Sequence, residues 1–360
     1  MNDSSPQQHQ PHAPLSRRAM LAALSSVPFA GMIGRSALAA PAEAPGAAPQ
    51  GDFAEITPAL QESVSKGLAY LAQQQQPDGS FGADRYGRHV GTSALAGLAF
   101  MSNGDVPGRG RYGTQVTRAL DFVLDSVHEN GLVAADTSHG PMYGHGFATL
   151  FLGEIYGMTH DRRTREALVK AVRLIVGSQN HEGGWRYQPV PREADISVTI
   201  CQIMGLRAAR NAGIRVPRET IDKAVEYTRR CQNADGGFRY MLSSGNSAFP
   251  RSAAGVATLY YAGIYSDDAI DRGLEYIMQH MPGEGRNTPH YFYGHYYAVQ
   301  AMYMAGGRFW QQWFPAIREE LLERQSADGS WDGQAGKSYG TSMALIILQM
   351  PNRYLPILQK

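Results

Sequence analysis

The sequence predicts an all-α fold, an α/α toroid of six helical-hairpin repeats with about twelve helices in two concentric rings. Three observations lead there. A turn motif recurs at a regular period, an amphipathic helical pattern precedes each clear copy, and an almost wholly apolar helical pattern follows it.

The motif reads Gln-x-x-acid-Gly-small-aromatic. It stands at Gln75-Gln-Pro-Asp-Gly-Ser-Phe81, Gln179-Asn-His-Glu-Gly-Gly-Trp185, Gln232-Asn-Ala-Asp-Gly-Gly-Phe238 and Gln325-Ser-Ala-Asp-Gly-Ser-Trp331. The aromatics lie 104, 53 and 93 residues apart, so a period near 50 fits once two decayed copies are placed. Those copies are His128-Glu129-Asn130-Gly131-Leu132 and Gln279-His280-Met281-Pro282-Gly283, which makes six units.

Apolar residues at helical spacing lead into the turns, such as Leu60, Val64, Leu68 and Leu71, or Ile221, Val225 and Tyr227. The acid-Gly pair accepts positive φ and stops the helix. The aromatic folds back to pack, and the glutamine amide is placed to bond backbone groups freed at a neighbouring helix end. Each second helix then starts, at Gly91-Thr92-Ser93, Gly144-His145-Gly146, Ile196-Ser197-Val198, Ser252-Ala253-Ala254, Gly294-His295-Tyr296 and Gly340-Thr341-Ser342. Amphipathic and all-apolar helices in alternation imply an outer ring facing water and an inner ring buried on most sides. An open solenoid is the alternative. The last inner helix repeats the Gly-Thr-Ser start of the first, and neither terminal unit shows a polar capping face. Closure is the expectation.

The chain of 360 residues is 43% hydrophobic with 40 glycines, enough for a large core. A net charge of +1 without a Lys/Arg run leaves no footprint for nucleic acid. Past the N-terminal region no apolar stretch reaches the ~18 residues of a membrane span. Ser16-Arg17-Arg18-Ala19-Met20-Leu21, an apolar stretch to Ala40 and the cleavage site Ala37-Leu38-Ala39 read as a twin-arginine signal over residues 1–39. An Ala/Pro-rich linker over 40–54 and the toroid over 55–360 follow, so the expected location is periplasmic or secreted. The two cysteines, Cys201 and Cys231, are open to pairing or to standing as buried thiols. No zinc or cofactor motif is present.

The turn resembles the repeat of squalene–hopene cyclases and protein prenyltransferase β subunits, from about Glu55 to Met350. That resemblance implies the toroid but no single activity, because the fold also serves thioester domains and polysaccharide lyases. Within it, class II terpene cyclases carry an Asp-x-Asp-Asp-Thr run whose middle aspartate protonates an alkene or epoxide. Here the run is Glu193-Ala194-Asp195-Ile196-Ser197, with Asp195 at the donor position and Ile196 in place of the final acid. The zinc set and Gly-Cys-Gly-Glu-Gln run of the other branches have no counterpart. A true squalene cyclase has about twice this length, so full polycyclisation is not expected.

If the ring closes, all inner helices start at one mouth, the default ligand site. Val90, Tyr143, Asp195, Arg251, Tyr293 and Tyr339 would form its rim, with Thr92, His145, Ser197, Ala253, His295 and Thr341 two residues further in. Asp195 is read both as proton donor and as N-cap. Thr92, Ser197 and Thr341 suit capping. Tyr143-Gly144-His145 recurs as Tyr293-Gly294-His295, three units apart, placing His145 and His295 as catalytic or ring-filling residues facing one cavity from opposite walls. Distance between opposite walls disfavours a single shared metal there. His139 and His290 are loop supports or nothing. Tyr143, Tyr293, Tyr339, Trp185, Trp331 and Arg251 are the candidate ligand-binding residues, and Arg186, Arg192, Arg239 and Arg251 are open to binding acidic sugars or to standing solvated or paired with acids. Three readings stay open: a terpene-cyclase-like protein acting on a largely apolar, isoprenoid-like ligand, a non-catalytic binding or scaffold module, and a carbohydrate-active lyase.

Overall fold

The computed structural model describes residues 55–82, 87–135, 140–243, 245–283 and 288–359, all within the compact unit Asp52–Lys360. The signal, the linker and His139 lie outside them. Twelve α-helices and no strand occur among the described residues. The outer helices are α1 (Pro58–Gln73), α3 (Gly113–Asp125), α5 (Arg162–Gly177), α7 (Arg218–Arg230), α9 (Asp268–Met278) and α11 (Gly307–Arg324). The inner helices are α2 (Val90–Met101), α4 (Met142–Thr159), α6 (Ile196–Asn211), α8 (Phe249–Ala262), α10 (Tyr291–Ala305) and α12 (Lys337–Leu348).

Each inner helix packs on the next, and α12 packs on α2. The ring is closed. Every residue of α2 is buried, whereas outer helices such as α7 bury only one stripe, Thr220, Ala224, Val225, Tyr227 and Thr228.

The turn motif explains the closure. The Gln75 amide donates to Gly79 O in its own turn and to Gln115 O in the first turn of the next outer helix, at 3.1 and 2.9 Å. Gln179 does the same to Gly183 and Thr220, and Gln232 to Gly236 and Ala269. Gln325 reaches Gly329 and, across the seam, Ser63 of α1, both at 2.9 Å. In these four turns one amide therefore satisfies two carbonyls and links its unit to the next. Gly183 shows why glycine is required: its φ is +102° and an added Cβ would stand 2.2 Å from Lys223 O. Gly131 and Gly283 also take positive φ, +91° and +89°, so the decayed copies keep the turn.

Trp185 and Trp331 are buried and donate their indole N–H groups to Ile175 O and Leu321 O of the preceding outer helices, each at 2.7 Å. A Cβ on Gly67 of α1 would lie 2.8 Å from the Trp331 ring, so that ring packs directly on the next unit. The expectation that these two indoles line the central cavity is corrected. They sit between the rings because their N–H partners are outer-helix carbonyls. Cys201 and Cys231 are both buried free thiols. Among the described residues no helix is long and apolar enough to cross a membrane.

Candidate functional site at the mouth of the inner ring

A second regularity fixes which way inner-helix residues point. In five units one side chain near the helix start accepts the N–H of the turn residue at the aromatic position. The pairs are Ser93 with Phe81, His145 with Val133, Thr199 with Trp185, Ser252 with Phe238 and Thr341 with Trp331. Those side chains face outward, towards their own turn. Residues two positions earlier are turned by about 200° and face the axis.

His145 belongs to the outward set. Its Nδ1 accepts from Val133 N at 3.1 Å and its Nε2 lies 3.3 Å from Ala171 O on α5, so the neutral ring is a bridge between layers. Burial lowers its pKa to about 4. His295 is buried among Phe249, Tyr291 and Trp313, with ring centroids 4.9, 4.4 and 5.8 Å away. Burial, helped by the charge of Arg324, lowers its pKa to about 3. The expected pair of histidines facing one cavity is therefore corrected: both lie between the rings. Neither Thr92 nor Ser197 caps its helix; the N-caps are His89 and Asp195, whose side chains accept from Thr92 N and Val198 N. Arg251 is corrected too, for its guanidinium stitches a loop by donating to Phe238 O and Asn246 O. Arg239 likewise points to Leu242 O.

The tyrosines do converge. Tyr143 of α4, Tyr293 of α10 and Tyr339 of α12 face the axis, and Tyr293 Oη donates to Ser197 O on α6 at 3.0 Å. Tyr143 and Tyr339 keep some accessible surface, and burial raises the pKa of all three. One turn deeper the axis is filled. Phe147 of α4 meets Tyr296 of α10 edge-on at 6.1 Å, although these helices belong to opposite units. Cys201 Sγ and Tyr297 Oη lie 3.2 Å apart beside them, and burial raises the thiol to about 12. Below the three tyrosines these aromatic side chains close the axis.

Asp195 stands on its rim with no exposed surface. It starts α6: its N–H donates to Trp185 O, and its Oδ1 accepts from Val198 N at 2.8 Å. Oδ2 accepts from Tyr240 Oη at 3.2 Å and lies 3.8 Å from Arg186 Nε, while Arg186 also holds Glu193 at 2.5 Å. Burial raises the Asp195 pKa to about 6, against the pull of the Val198 N–H, Tyr240 and Arg186. Tyr240 hydrogen-bonds Tyr187, whose ring lies 6.0 Å from that of Tyr143. Tyr187 and Tyr240 were missed by sequence reasoning, yet the signal exists: both stand two residues after a turn aromatic, in Trp185-Arg186-Tyr187 and Phe238-Arg239-Tyr240. A separate cavity of about 380 Å³ opens beside the start of α10, lined by Thr288, His290, Tyr291, Arg324, Trp331 and Asp332. Among the described residues no cluster of three His, Cys, Asp or Glu side chains is arranged to hold a metal ion.

No family model matches the chain. A drimenyl diphosphate synthase of Streptomyces showdoensis is 25% identical over 178 residues, 49% of this chain and 32% of that protein. The match thus spans about a third of that relative. The fold is that of the type II terpene cyclase MstE from Scytonema, with a TM-score of 0.59, 14% identity and coverage of 82% of this chain and 99% of that one. It is equally similar to a cellobiose 2-epimerase from Spirochaeta thermophila (TM-score 0.62, 12% identity, 82% and 98% covered). An α-1,6-mannanase of a Salegentibacter gives a TM-score of 0.60 at 9% identity, with 81% and 98% covered. The chain is an α/α toroid; identities this low establish the architecture alone.

Proposed function

We propose that the chain is an exported, terpene-cyclase-like protein that takes a largely apolar, isoprenoid-like ligand at the tyrosine-lined mouth, with Asp195 as proton donor. The observation that carries this reading is a fully buried carboxyl at about pKa 6, hydrogen-bonded to Tyr240 beside the tyrosines of the mouth. MstE, of the same fold, has been solved with geranylgeranyl dihydroxybenzoate as its substrate. In the step proposed, the Asp195 O–H bond breaks and a C–H bond forms at a ligand alkene, leaving a tertiary carbocation. Val198 N–H, Tyr240 and Arg186 stabilise the carboxylate left behind. In this step the faces of Tyr143 and Tyr293 would stabilise the positive charge that develops. Loss of a proton to water ends the sequence as an isomerisation, and the Tyr240–Tyr187 chain offers a route for reprotonating Asp195.

Ile196 leaves Asp195 without a second acid, and the Phe147–Tyr296 pair closes the axis below the mouth. That closure favours a second reading, a binding module of the same fold without catalysis. Incubation with prenyl alcohols of increasing length, followed by mass spectrometry of extracts and of the intact protein, separates the two. Products that vanish in Asp195→Asn support catalysis, retained lipid without products supports the binding module, and no retained lipid in either protein refutes both.

A further inference from the structure

At the other mouth, the face of α4 that carries Tyr143 and Phe147 continues to Glu154, seven residues beyond Phe147 and so on the same side of the helix. Glu154 is 2% exposed and is the one charged residue in the otherwise apolar Met142–Thr159. After α12 the chain does not leave the ring. It turns through Met350–Asn352, anchors Gln349 to Ala99 O and Asn352 to Ser102 O on the α2 side, and buries Leu355, Ile357 and Leu358. The turn Pro356–Leu358 packs on α6, and Ile357 N donates to Glu154 Oε2 at 3.2 Å.

We propose that the C-terminal segment, Met350–Gln359, is a releasable plug over this second mouth, and that ionisation of Glu154 releases it. The proposal is independent of the reading given to Asp195. Its basis is an acid that meets the plug through one backbone N–H in apolar surroundings. The groups around it cannot neutralise a carboxylate. α2 and the segment Leu355–Leu358 carry no titratable side chain, and α5 lies against the His145 side, about half a turn away. Tyr261 of α8 donates to Gln300, Tyr296 of α10 keeps a raised pKa, and Arg207 of α6 donates to Tyr265. Burial raises Glu154 to about 8, the Ile357 N–H opposing it weakly.

The sign follows from proton binding. The closed form holds the proton up to about pH 8, whereas an opened, hydrated Glu154 loses it near the ordinary carboxylate value. Closure is then fully favoured below that ordinary value and weakens as pH rises towards 8, by up to about tenfold per pH unit. Hydrogen exchange of the C-terminal peptide, with times scaled for the intrinsic rate at each pH, reads this directly. In the full-length protein, protection of that peptide is expected to fall at least about tenfold from pH 6 to pH 8, while peptides from α6 stay protected. Glu154→Gln should remove the pH response, and Ile357→Pro, which deletes the donor, should expose Leu358 and Gln359 at every pH. Unchanged protection in the wild type, a wild-type response in Glu154→Gln, or a protected tail in Ile357→Pro would overturn the proposal. Should Glu154→Gln not fold, the wild-type and Ile357→Pro results decide it alone.

Discussion

The two mouths of the ring each hold one buried carboxyl, and burial raises both. They differ in what else reaches them. Asp195 has a helix-starting N–H, a tyrosine hydroxyl and a guanidinium, and its pKa rises only to about 6. Glu154 has one backbone N–H and rises to about 8. Desolvation acts at both mouths, so the number and charge of the partners set the outcome. At the first mouth the acid is held ready to change charge beside the tyrosines. At the second, a charge is incompatible with the closed chain.

The largest expected effect tests the frame that both mouths share. Trp185→Ala and Trp331→Ala should each cost on the order of 3–5 kcal/mol, because each removes a buried ring and an indole hydrogen bond. Denaturant unfolding followed by circular dichroism measures this, and a loss below ~1 kcal/mol in either would remove the packing role of the motif.

Next in size is the histidine pair, which separates frame from mouth. His145→Ala leaves Val133 N–H without its acceptor and opens a cavity, at a cost of about 2–3 kcal/mol. His295→Ala should cost a similar amount by loosening the Phe249–Trp313 cluster. Ligand retention at the mouth should be unaltered in both. Intact melting midpoints with lost retention would return the histidines to the site.

The fold was legible because the motif acts locally. Gln, Gly and aromatic bond their own turn and the adjacent helix, so spacing alone reveals them. The site was half legible. Tyr143 and Tyr293 face the axis as the alignment of helix starts implies, but His145 and His295, two positions on, face the opposite way, since two residues advance a helix by about 200°. Loop residues Tyr187 and Tyr240 escaped because only the turns carry them to Asp195. Glu154 escaped because nothing local in an apolar helix tells that the distant Ile357 will cover it.

A smaller effect appears in the pH dependence. If Asp195 donates the proton, turnover should be highest below about pH 6 and fall as pH rises through that value. Glu154→Gln should leave that profile in place while stability at pH 8 rises by about 1–3 kcal/mol, since a cost of ionisable burial disappears. Export adds a separate check: Arg17→Lys with Arg18→Lys should hold the uncleaved precursor in the cytoplasm on fractionation, as the proposed twin-arginine route requires.

The smallest change in stability comes from the variant that makes the first mouth resemble the second. Arg186 is partly exposed and sits 3.8 Å from Asp195, so Arg186→Gln should alter unfolding free energy by less than about 1 kcal/mol. With the guanidinium gone, burial continues to raise Asp195 while one of the four opposing influences is lost, and the titration should move upward from about 6 towards the value of Glu154. Carbon-13 NMR of labelled aspartate carboxyls reads the shift without needing a substrate, and the pH profile of any turnover should move by the same amount. Should the Asp195 titration stay in place in Arg186→Gln, Tyr240 and the N–H groups of Ser197 and Val198 alone would account for the difference between the mouths, and charge would play no part in it.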